Sequence, residues 1–198
     1  AFAIGRVEEV IYWLKKLEDG NRVPVLPVYV DSPMAVQALE FYKRHAHELD
    51  HDARPERGEV SAFGTERFYP TASPKASKAI ATAKGPAIII SASGMATGGR
   101  VLHHLAAALP DPRNTVLFVG FQAAGTRGRR LIEGEKQVKM FGQWVPVQAR
   151  IERLNAMSAH ADAGEIIRWL RTFPSAPGIT YLVHGEPPAQ QALKQRIE

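Results

Sequence analysis

"PAIIISASGMATGGRVLHHLAAAL", residues 86–109, holds the pattern on which the fold turns. Residues 86–92 are a short run that is apolar on both faces, the mark of a strand buried in a sheet with cover on each side. Ser93-Gly94 and then Gly98-Gly99 break the run, and a helix follows until Pro110 and Pro112 stop it. A buried strand passing through a small-residue loop into a helix is half of a β-α-β unit.

The rest of the chain repeats that alternation. "VLPVYVD" (25–31) and "NTVLFVGF" (114–121) read as buried strands. The helix from about Arg6 to Glu18 puts Val7, Val10, Ile11, Leu14 and Leu17 on one face. Ser32-Pro33 opens a second helix that runs to about Leu49, and "SPKASKAIATAK" (73–84) is a third. Residues 52–66 read as a loop, and "AFAI" (1–4) as the end of a strand. "VKMFGQWVPVQARIERL" (138–154) reads as a hairpin turning at Phe141-Gly142-Gln143. After it come a helix (164–173), a strand "ITYLVH" (179–184) and a last helix (187–198). The fold class is therefore α/β, with a largely parallel sheet flanked by helices. Ligands of such sheets bind beyond the carboxyl ends of the strands, which here carry Asp31, the Ser91–Gly99 loop, Gly120 and His184.

Composition narrows the function. With no cysteine among 198 residues, disulfides, thiolate zinc sites and a cysteine nucleophile are excluded, and a reducing cytoplasm fits. A net charge of +5 suits either a polyanionic partner or plain solubility. No stretch is long and apolar enough to span a bilayer. The opening residues carry neither a charged n-region nor a cleavage motif, so they are no signal peptide, and the chain reads as an excised fragment.

Six stretches offer chemistry. The Ser91–Gly99 loop leads into a helix start whose free N–H groups suit a phosphate, with Arg100 near enough for a bidentate contact; a tight packing turn explains the same glycines. "HAHELDH" (45–51) nearly spells a binuclear zinc motif but has one residue too many, and helical spacing sends His45 and His47 to opposite sides. "GTRGRR" (125–130) sets three arginines on a loop fit for phosphates or for solvent. Of the adjacent His103 and His104, one is expected half-buried and the other wet. "MSAHAD" (157–162) delivers Ser158 and His160 into a loop before a helix, with Asp162 as its cap and a candidate to orient the imidazole. "LVHGE" (182–186) presents His184 at a strand end, a common placement for a metal ligand.

Taken in order, "VYVDSPMA", "SASGMATGGRVLHHL", "DPRNTVLFVGFQAAGTRGRRL", "MSAHAD" and "YLVHGE" resemble the β-CASP branch of metallo-β-lactamase-fold nucleases. That branch includes ribonuclease J and the endonuclease subunit of cleavage and polyadenylation specificity factor. The resemblance covers essentially the whole chain. It implies cleavage of RNA with two zinc ions held between a metallo-β-lactamase domain and the β-CASP cap. It implies zinc ligation by His184, a catalytic His160 beside the scissile phosphate, and an RNA groove lined by Ser93, Gly94 and Ser158. The family's H-x-H-x-D-H motif, its further zinc-binding His and Asp, and an acidic residue early in the cap are not in this sequence and are expected to precede "AFAIGR".

The resulting expectation is a piece of a cytoplasmic, zinc-dependent ribonuclease of RNA processing or degradation, exonuclease or endonuclease. Residues 1–147 form its β-CASP domain. Residues 148–198 form an RNA-specificity segment returning to the metallo-β-lactamase domain as a β-α-β-α piece. Its partners are RNA and the missing N-terminal domain, with no membrane, and a homodimer is left open. Alone, the chain is expected to be inactive and to hold little or no zinc. The alternative is a non-catalytic RNA-binding module, and a further rival binds a small phosphorylated metabolite.

Overall fold

The computed structural model describes residues 1–55, 61–83 and 85–198. Residues 56–60, within the expected loop, and Lys84, at the end of the expected third helix, lie outside the described residues. The chain divides into two compact units, residues 1–157 and 158–198.

The first unit alternates helix and strand: α1 (Arg6–Asp19), β1 (Val28–Val30), α2 (Pro33–Arg44), β2 (Phe68–Pro70), α3 (Pro74–Ile80), β3 (Ile88–Ile90), α4 (Val101–Ala108) and β4 (Thr115–Val119). Then come α5 (Arg127–Ile132), β5 (Gln137–Met140), β6 (Gln143–Pro146) and β7 (Arg150–Leu154). One parallel sheet has the order β2-β1-β3, a second parallel pair is β4-β7, and β5-β6 is an antiparallel hairpin. The expected α/β class with parallel strands and flanking helices is what the chain forms. Both Ser-Pro signals act as read: Ser32 accepts from Ala35 N at 3.3 Å to start α2, and Ser73 accepts from Ala76 N at 3.1 Å to start α3.

Two apolar clusters hold this unit. In the first, Val7 and Ile11 of α1 pack with Val28 and Val30 of β1, Leu39 of α2 and Ile90 of β3. In the second, Leu105 of α4 meets Phe118 of β4, Leu131 of α5, and Val138 and Met140 of β5. The strands are short, and burial falls on particular residues, Val28 and Val30 of β1, Ile90 of β3, Phe118 and Val119 of β4, and Val138 and Met140 of β5, which anchor them by packing beside the ladder.

Several elements differ from the sequence reading. Ala1–Ile4 is no strand: the chain turns at Ala3–Gly5, and the Phe2 ring lies against Gly94 and Gly120. A Cβ on Gly94 would stand 2.8 Å from that ring, so the glycine is what admits it. Helix α2 stops at Arg44 rather than near Leu49, and two 3-10 turns follow, Ala46–Glu48 and His51–Ala53. The chain leaves the helix axis because Leu49 packs back on the first cluster and His45 Nδ1 pairs with Glu48 at 2.9 Å. His45 and His47 accordingly do not face opposite ways; their rings lie 6.2 Å apart, nearly parallel. Strand β2 was invisible in the sequence, since three residues ending in proline carry almost no strand signal.

The arginine-rich stretch begins a helix instead of a loop, with Thr126 Oγ1 accepting from Arg129 N at 3.2 Å. The hairpin turns at Phe141-Gly142 as expected, both residues at positive φ (49° and 80°), but Gln143 already belongs to β6. Strand β6 ends at Pro146, Val147 N adds one more bond to Lys136 O at 2.8 Å, and the following residues leave to pair with β4 in parallel as β7.

The second unit holds α6 (Ala163–Leu170) and α7 (Pro187–Ile197). The strand expected at 179–184 does not form among the described residues. A strand exists through its neighbour's hydrogen bonds, and no described segment pairs with this one. Its apolar side chains stand open instead, Tyr181 79% and Val183 86% exposed.

Candidate functional site

In the second unit the two singled-out histidines come together. Asp162 caps α6 in a reciprocal box: its carboxylate accepts from Glu165 N at 2.7 Å, and Glu165 accepts from Asp162 N at 2.8 Å. The Glu165 amide, then the neighbouring Gly164 amide, outweigh the smaller effect of burial and hold the Asp162 carboxyl below its usual range. That carboxylate is thus spent on the helix start and does not orient His160, as the sequence had suggested. The serine takes that place: His160 N donates to Ser158 Oγ at 3.2 Å, and the same hydroxyl lies 3.4 Å from His160 Nδ1. His184 adopts φ 76°, a left-handed conformation that turns the chain ahead of α7, and Gln190 Nε2 donates to its carbonyl at 3.2 Å. The result is that the His160 and His184 rings face each other at 6.2 Å, tilted by 29°. Both imidazoles are solvent-exposed.

In the first unit the Ser91–Gly99 loop is held by its carbonyls. Gln122 Nε2 donates to Gly94 O at 2.9 Å, Gly128 N to Met95 O at 3.0 Å, and the Arg127 guanidinium to Ala96 O. Ser93 and Thr97 hydroxyls meet at 3.0 Å. With those carbonyls turned into the fold, the N–H groups of Thr97, Gly98 and Gly99 have no acceptor among the described residues. Ahead of α4, unpaired amides together with the helix dipole make a place for an anionic oxygen.

Arg100 is bound up with a group the sequence only touched upon. Asp31, fully buried at the end of β1, accepts from Arg100 Nη1 at 2.7 Å, from Ser77 Oγ at 2.6 Å and pairs with His104 Nε2 at 2.6 Å. Burial pushes the carboxyl up, but hydrogen bonds from Ser77, His104 and Arg100, with the charge of His104, together hold it below its ordinary value. Arg100 also donates to Thr71 O at 3.1 Å and Ala72 O at 2.8 Å, so one guanidinium ties α4 to the ends of β1 and β2. His104 is the half-buried member of the His103-His104 pair and His103 the exposed one, as expected. The signal for this cluster was present: Arg100 and His104 stand four residues apart, on one helix face.

A metal centre needs more than these groups provide. Among the described residues no three His, Cys, Asp or Glu side chains are placed to hold an ion. That includes His45, His47 and His51 of "HAHELDH". A catalytic zinc requires three protein ligands, and the second unit brings one candidate, His184, with His160 beside it. Zinc therefore does not fit the residues present as a complete site. No described helix is long and apolar enough to cross a membrane.

Parallel strands flanked by helices, with the small-residue Ser91–Gly99 loop at the carboxyl end of β3, define an α/β domain. The chain belongs to the Beta-Casp domain family, whose model matches residues 7–131. A second model, described as a Zn-dependent metallo-hydrolase RNA specificity domain, matches residues 144–198. The chain is 36% identical over 189 residues to "Ribonuclease TTHA0252" of Thermus thermophilus, covering 93% of this chain and 42% of that protein. It is 32% identical over 194 residues to "Transcription termination factor FttA" of Methanosarcina mazei, covering 94% of this chain and 30% of that protein. An "RNase J-like protein" of Methanocaldococcus jannaschii is 30% identical over 186 residues, with 93% and 42% covered. The chain thus spans less than half the length of these relatives.

Proposed function

We propose that this chain is the β-CASP cap and RNA-specificity segment of a zinc-dependent RNA phosphodiester hydrolase. The observation that carries the reading is the facing pair His160 and His184, brought within 6.2 Å by two separate loops. His184 is one ligand of a zinc whose remaining ligands come from a metallo-β-lactamase portion outside this sequence. Such a metal supplies an activated water and stabilises developing charge. His160, accompanied by the Ser158 hydroxyl, handles a proton or charge at the scissile phosphate. Ser93, Gly94 and the amides before α4 take backbone phosphates, with Arg100 holding that helix start in place and Ser158 adding a contact. The names of the relatives support RNA as the substrate class, and the lack of cysteine suits a reducing cytoplasm. Residues 1–147 and 148–198 are the functional halves of this arrangement.

Elemental analysis after dialysis against trace zinc tests the reading. The 198-residue chain should retain well under one zinc and leave RNA intact, whereas the longer protein should cleave RNA and lose zinc on His184→Ala. One or two tightly held ions in this chain would overturn the shared-site reading. A non-catalytic RNA-binding module is the second reading, favoured by the unpaired amides of Thr97–Gly99. It requires steeply salt-dependent RNA binding that EDTA leaves unchanged, with no cleavage by the longer protein.

A further inference from the structure

We propose that the β5-β6 hairpin and the adjoining side of α4 form a stacking platform for the bases of single-stranded RNA, using Phe141, His103 and Trp144 with Lys139 as counter-charge. The inference rests on RNA being the substrate class and adds a surface that the histidine site does not use.

Packing and turn chemistry account for half of the hairpin only. Val138 and Met140 point into the second apolar cluster. The opposite face carries Lys139 and, directly across the ladder, Trp144, which is 57% exposed. At the tip Phe141 is 58% exposed and sits at φ 49°. Glycine or asparagine takes that conformation at lower cost, so neither burial nor the turn explains a phenylalanine there. Its ring is instead set against the His103 imidazole, with centroids 4.6 Å apart and planes within 23°. Stacked on that imidazole, the exposed Phe141 ring is held in place with an outer face on which a base can stack.

Charge selects the occupant. On α5, Arg129 and Arg130 are engaged by Glu133 and Glu135. Lys136 and Lys139 have no carboxylate partner among the described residues. Arg127 donates to two carbonyls, Lys139 O at 3.1 Å and Ala96 O, which leaves its charge uncompensated by any carboxylate. Exposed aromatic faces interleaved with uncompensated cations suit a single strand, whose bases are free to stack while its phosphates meet the cations. A duplex keeps its base faces covered. Arg127 also joins the hairpin backbone to the Ser91–Gly99 loop, so the platform has a fixed relation to the amides before α4.

The test is fluorescence anisotropy of the chain with a labelled single-stranded RNA of about 12 nucleotides and with the matching duplex. Phe141→Asn keeps the turn and removes the ring; Trp144→Thr keeps the strand. Each should weaken single-strand binding by about five-fold or more and leave duplex binding alone. Lys139→Gln should lower the salt slope by about one. In a Trp13→Phe, Trp169→Phe background, the remaining Trp144 emission should be quenched by the RNA. Circular dichroism melts confirm that the variants are folded. If the chain binds single strands, but the ring variants match it and Trp144 emission stays constant, the platform is wrong and the RNA reading stands. If the unsubstituted chain binds no RNA, both fall together.

Discussion

Asp31 and Glu8 are both buried carboxylates, and they oppose each other in effect. Asp31 has three donors and a carboxyl held low, so its contribution to stability is present above the ordinary carboxylate pKa and fades as pH drops through the lowered folded value. Asp31→Asn removes the charged acceptor shared by Arg100, His104 and Ser77 and should cost about 3 kcal/mol in urea unfolding at neutral pH. The deficit should shrink in acid; a deficit independent of pH would disprove the ionised cluster. Glu8 is 2% exposed, and neither carboxylate oxygen has a hydrogen-bond partner. Burial, the larger effect, raises its carboxyl against a weaker pull from the Glu8 and Gly5 amides. The sign is reversed here. Below the ordinary value the folded state bears no penalty, and the penalty grows as pH rises toward the raised folded value. Glu8→Leu should therefore stabilise by about 1–3 kcal/mol at neutral pH, with a smaller gain near pH 4. An equal gain at both would show that packing, not ionisation, is at work.

Among the elements, those with strong local signals stand where the sequence puts them. The Ser-Pro starts of α2 and α3, the Asp162 cap of α6 and the Phe141-Gly142 turn depend on contacts within about four residues. Ser32→Ala removes the acceptor for Ala35 N in a buried position and should cost about 1 kcal/mol in thermal or urea unfolding. Ser32→Thr should restore most of it, and no difference between the two would mean that Pro33 alone starts the helix. Elements that depend on a distant partner were misread. β2 exists because β1 offers it a ladder, "ITYLVH" lacks one, and β7 leaves its hairpin to lie beside β4. No local window contains that information.

Over the whole molecule, both apolar clusters lie within residues 1–157, built where helices cover the short parallel strands. Residues 158–198 carry the two histidines and a row of exposed apolar residues, with no fully buried side chain. That contrast fits the proposal that the metal chemistry is completed by other parts of a longer protein, and the zinc analysis decides it. The net charge of +5 gives a polyanion a general attraction, while the unpaired cations of the hairpin give it a location.

The α/β class and the positions of the small-residue loops were thus written in the sequence, since apolar runs, Ser-Pro starts and glycine breaks act over a few residues. So was the family. Only the tertiary structure decided that Asp31 gathers Arg100, His104 and Ser77, that Gln122 and α5 turn the Ser91–Gly99 carbonyls inward, and that His103 lies beneath Phe141. Each of these joins residues far apart in the chain, and their meeting depends on how helices seat on strands, a property of packing that no stretch of sequence holds by itself.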